Sequence, residues 1–147
     1  MKRLFLALSI VFVLFSCGLN KNPPSYVKDV VAYKEGAGGD RIVIYFILAD
    51  SGGKMTTANG AVKLRIMVNM PISGDIEFFS ETYNVKTSDF YKTSRGRGSL
   101  KEDIIIYSFG AMPFPANDMK SLVPTSNILV DFTIGENTIS GKGTINW

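Results

Sequence analysis

Residues 61–69 read Ala-Val-Lys-Leu-Arg-Ile-Met-Val-Asn, "AVKLRIMVN". Val62, Leu64, Ile66 and Val68 fall on one side of an extended chain, Lys63, Arg65 and Asn69 on the other. Successive strand side chains point to opposite faces, so this alternation specifies a strand with one face buried and one in water. Residues 128–134, "ILVDFTI", repeat the pattern, with Ile128, Val130, Phe132 and Ile134 inward and Asp131 and Thr133 outward. Residues 41–49, "RIVIYFILA", are apolar on both faces and rich in β-branched and aromatic side chains. That composition marks a central strand covered on both sides.

Shorter runs at 26–33, 76–85 and 104–109 supply further strands, the phase of 76–85 being ambiguous. Residues 138–147, "TISGKGTINW", close the domain, and their inward set includes Gly141 and Gly143, which leave room for large neighbours. With Glu136-Asn137 as the turn, Ile134 faces Ile139 and Phe132 lies opposite Gly141, an aromatic ring across from a strand glycine. Glycine-rich turn chemistry separates the runs, as in "DSGGK" at 50–54 and "SRGRGS" at 94–99, the latter read as a solvated loop. Only 117–122, "NDMKSL", reads as a helical turn, with Asn117 as its cap and Pro124 barring extension. About seven short strands without repeats or a second domain predict an all-β fold, an antiparallel β-sandwich. A small β-barrel is the alternative. The stretch 49–66, "ADSGGKMTTANGAVKLRI", resembles immunoglobulin-like and fibronectin type III-like modules of bacterial surface proteins, although the paired cysteines and the strand tryptophan of antibody domains are absent.

The chain opens with Lys2 and Arg3, followed by the apolar run 4–15, "LFLALSIVFVLF". A helix of that length rises about 18 Å, short of the roughly 30 Å hydrocarbon core of a bilayer. A basic start, a short apolar run and then a small residue, Ser16, mark a secretory signal. Leu14, Ser16 and Cys17 resemble the lipobox of bacterial lipoproteins, with Phe15 larger than the usual occupant of its position. The resemblance implies cleavage after residue 16, a diacylglyceryl thioether on Cys17 and acylation, palmitate included, of the new amine. Two or more chains anchor stably where one does not. The expected organisation is therefore a signal peptide at 1–16, lipidated Cys17 with a flexible tether at 17–25 interrupted by Pro23-Pro24, and a sandwich at 26–147. Gly18 is not the aspartate that resembles an inner-membrane retention signal, which favours the outer membrane where the organism has two.

The whole chain carries 16 Lys and Arg against 13 Asp and Glu. Removing Lys2 and Arg3 leaves 14 against 13, a balance of +1 that offers no field for polyanions, so no nucleic-acid partner is expected. Cys17 is the only cysteine and there is no histidine, which excludes Ser-His-Asp and Cys-His catalysis and imidazole or thiolate metal sites. Asp75, Glu77 and Glu81 could serve as paired carboxylates of a glycoside hydrolase. Asp40, Asp50 and Asp75 sit in Gly-rich turns, as calcium ligands often do, but none has the spacing of a calcium loop. No catalytic residue, metal or cofactor is assigned. The aromatic run 77–91, "EFFSETYNVKTSDFY", supplies Phe78, Phe79, Tyr83, Phe90 and Tyr91 as candidates for stacking on a sugar or small ligand. The expectation is a non-enzymatic, lipid-anchored envelope module that contacts membrane lipid through Cys17 and an envelope protein partner. A glycan or small-ligand binding module using 78–91 is the alternative, and a carboxylate-dependent hydrolase ranks behind both.

Overall fold

The computed structural model describes residues 22–36, 40–70, 72–114 and 123–147. The expected signal peptide, Cys17 and the expected turn at 117–122 lie outside the described residues. Nine strands are present among those described: β1 Tyr26–Glu35, β2 Arg41–Ala49, β3 Met55–Thr56, β4 Gly60–Met70, β5 Gly74–Val85, β6 Tyr91–Arg95, β7 Glu102–Pro113, β8 Thr125–Ile134 and β9 Asn137–Asn146. They form two antiparallel sheets, β1-β2-β7-β6 with β3 added to β2, and β5-β4-β8-β9. The sheets stack face to face and neither closes, so the fold is a sandwich and not a barrel. Counting β3 apart, the order corresponds to the A-B-E-D and C′-C-F-G layers of immunoglobulin-type sandwiches.

The core lies between the inward faces. Ile42, Ile44, Phe46 and Leu48 of β2 meet Val62, Leu64 and Ile66 of β4 and Ile128, Val130 and Phe132 of β8, all with no exposed surface. Phe46 and Phe132 join the two sheets with ring centroids 5.8 Å apart. At one end of the sandwich Trp147 stacks on Phe114 at 4.9 Å and donates its indole N–H to Ser126 Oγ at 2.7 Å.

Three features differ from expectation. Of the stretch 94–99 expected as a solvated loop, Ser94 and Arg95 belong to β6 and pair with Asp103 and Glu102, while 96–99 form the exposed hairpin loop that leads into the 3-10 turn Gly98–Leu100. The β8–β9 turn is Gly135-Glu136, so Ile134 faces Asn137 and Val130, not Phe132, faces Gly141. Phe132 does lie over a strand glycine, but it is Gly60, whose Cβ would stand 2.9 Å from the ring. Gly141 and Gly143 serve the other sheet: a Cβ on Gly143 would stand 2.2 Å from the Val30 carbonyl oxygen, so β1 and β9 close on each other along one side. Thirdly, the chain is fastened from Asn22 onward. The Asn22 amide donates to Asp50 at 3.2 Å, its carbonyl accepts from Thr56 Oγ1 at 2.8 Å, and Ser25 N donates to Ala49 at 2.8 Å. Residues 22–25 therefore belong to the sandwich rather than to a tether.

Candidate functional site

The outward face of β1-β2-β7-β6 is unusual in being apolar. β2 and β7 turn Ile47, Ile104 and Ile106 outward, yet all three are buried, packed with Tyr45 and Met55 in a second small cluster. What covers them comes from the sheet edges. Arg95 on β6 donates through Nη1 to Asp29 on β1 at 2.5 Å and through Nε to Glu102 on β7 at 3.1 Å. β1 and β6 are separated by β2 and β7, about 14 Å across a flat sheet. A side-chain bridge over that span requires the sheet to curl outward into a trough.

Beside the bridge the trough deepens into a cup of about 250 Å³. Val43, Ile104 and Ile106 form its floor, Tyr33, Tyr45 and Tyr91 its walls, and Thr93, Ser94, Ser108 and Arg95 its polar rim. Tyr33 and Tyr91 are 47% and 51% exposed, so both stand about half in solvent at the edge of the cup. Burial pushes the Tyr45 phenol up, against the opposing pull of the Arg95 guanidinium. The Asp29 carboxylate, seconded by Glu102, holds Arg95 still further toward its charged form. With roughly a third of each partner exposed, the ion pair contributes about 0–1 kcal/mol. Its importance is geometric. The cup offers ring faces, aliphatic contact and hydroxyl hydrogen bonds, and its one cation is already neutralised.

Of the aromatic candidates in 77–91, only Tyr91 reaches the cup. Phe90 is buried in the main core, edge-on to Phe46 at 6.0 Å, and is corrected from ligand contact to core residue. Phe79 and Tyr83 pack half-buried on the same core. The Tyr83 hydroxyl donates to Glu81, and burial, with Glu81 adding to it, pushes its pKa up to about 12. Phe78 is 48% exposed but sits on β5 in the other sheet, 5.3 Å from Phe114. Tyr33, Tyr45 and Arg95 were not singled out from the sequence. The signal for them was the double-sided apolarity of residues 41–49, which implied something on the outer face.

The carboxylates go elsewhere. Asp75 accepts from Asn69 at 2.9 Å, Glu81 from Tyr83, and neither these nor Glu77 line the cup. Asp50 Oδ1 accepts from the amides of Gly52 at 2.9 Å and Lys54 at 3.0 Å, closing its own turn. The Lys54 amide first, then Asn22, hold its carboxyl below the ordinary value of 3.8. The Asp40 carbonyl accepts from Phe114 N at 2.8 Å. Among the described residues no three His, Cys, Asp or Glu side chains converge as a metal site would require. Comparison with protein-family models, with curated proteins and with solved structures finds no match to this chain.

Proposed function

We propose that this chain is a lipid-anchored envelope protein whose sandwich binds a small, neutral, ring-bearing ligand, a sugar ring foremost, in the tyrosine-walled cup. The carrying observation is the pair of half-exposed rings, Tyr33 and Tyr91, standing with Tyr45 around an aliphatic floor. Aromatic faces stack on the C–H face of a pyranose while hydroxyls at the rim take its polar edge. The neutralised Arg95 disfavours an anionic ligand, because a third negative group would meet Asp29 and Glu102. The proposed role is binding rather than catalysis. Anchoring through Cys17 rests on the lipobox resemblance and holds this cup at a membrane surface.

The test is a panel of neutral mono- and oligosaccharides screened by saturation-transfer NMR and titrated by calorimetry. Tyr33→Ala and Tyr91→Ala are each expected to weaken a bound sugar about tenfold, near 1.4 kcal/mol. Phe78→Ala leaves affinity unchanged. A sugar that binds the double tyrosine variant as tightly as the parent would sink the assignment. Labelled fatty acid incorporated by the parent and not by Cys17→Ser tests the anchor separately.

A further inference from the structure

We propose that the β6–β7 hairpin at 96–101 rests on the lipid headgroups, with Leu100 entering the acyl boundary beside the anchor. The proposal rests on the lipid-anchor reading and adds an orientation to it. Asn22 is docked on the sandwich, so five chain steps separate it from Cys17. Fully extended, they span about 17 Å. Whatever surrounds Asn22 is thereby held near the bilayer.

The hairpin lies at the same end of its sheet as Asn22. Thr56, which donates to the Asn22 carbonyl, follows Met55, whose sulfur accepts from Ile105 N at 3.4 Å. β7 then runs back to Glu102, which pairs with Arg95 at the hairpin's base. From this end Leu100 projects 82% exposed, with Arg97 and Lys101 on either side of it in the chain. Lys54 closes the Asp50 turn, to which the Asn22 amide donates. An aliphatic side chain between cations suits the interface, where the apolar group meets acyl chains and the cations meet anionic headgroups. The hairpin is closed tightly enough to present it: at Gly96, with φ 94°, a Cβ would stand 2.4 Å from the Leu100 carbonyl oxygen. Among the described residues the other strongly exposed aliphatic side chain is Ile72 at 98%, on the β4–β5 hairpin at the opposite end, with Asp75 nearby and no Lys or Arg between 67 and 77 in the chain.

The test uses Leu100→Trp and Ile72→Trp, both at exposed positions, purified as lipidated protein. Each is reconstituted in phosphatidylcholine–phosphatidylglycerol vesicles with brominated acyl chains. Trp147, the single native tryptophan, is the internal reference. The emission added at position 100 is expected to be quenched several-fold more than that added at 72, and Arg97→Glu/Lys101→Glu lowers that quenching several-fold. Equal quenching at 100 and 72, in protein whose N-terminal peptide is acylated by mass, overturns the proposal and leaves the anchor reading standing. An unacylated N-terminus that fails to sediment with vesicles overturns both.

Discussion

Phe132 concentrates much of what holds the two sheets together, since its ring is fully buried, faces Phe46 and fills the space above Gly60. Phe132→Ala removes those contacts from a site walled by strands that cannot collapse, and is expected to cost about 3–5 kcal/mol, read by urea unfolding. Trp147, buried and hydrogen-bonded, reports the transition by fluorescence. Asp50 sets a pH dependence of definite sign. Its folded carboxyl lies below the ordinary 3.8, so the stability it lends is complete above that pH. It is lost as pH falls through the lower folded value. Asp50→Asn should flatten the acid limb of the melting temperature, and an unchanged limb would refute this role. Tyr83 acts at the other extreme. Its folded pKa is raised from 10.0 to about 12, so its contribution is full below pH 10 and drains away toward 12. Absorbance titration at 295 nm, compared with Tyr83→Phe, measures it.

Among elements, β9 depends on its glycines because β1 lies against it. Gly143→Ala drives a Cβ into the backbone oxygen of Val30. Backbone cannot rotate aside as a side chain does, so a loss of about 1–3 kcal/mol is expected in chemical denaturation. β4, β8 and β2 were legible from residue order alone, because alternation and double-sided apolarity each have one structural reading. The β8–β9 register was not. A shift of two residues keeps every side chain on its own face, so the hydrophobic pattern cannot distinguish Glu136-Asn137 from Gly135-Glu136 as the turn. β6 escaped for another reason: "YKTSR" carries one aromatic residue and no apolar alternation, and pairing with Ile104–Ile106 imposes its extended state. The cup was legible only in Tyr91. Tyr33 and Tyr45 join it through strand order, which brings β1, β2, β7 and β6 side by side from distant parts of the chain.

At the scale of the molecule, if the proposed anchor holds, the docked segment at Asn22 shortens the link to the lipid and sets which end of the sandwich meets the membrane. In the proposed arrangement the cup, on a sheet face, opens along the bilayer plane rather than away from it. Alkaline carbonate should then leave the parent protein in the membrane pellet, while Cys17→Ser appears in the soluble fraction. Recovery of both in the pellet would refute acyl anchoring. The close seating of β1 against β9 carries one more consequence. It puts the edges of β1 and β9 on one side of the sandwich and leaves β5 and β6, the other edges of the two sheets, together on the opposite side. An added strand therefore meets a pair of neighbouring edges rather than a lone one on either side.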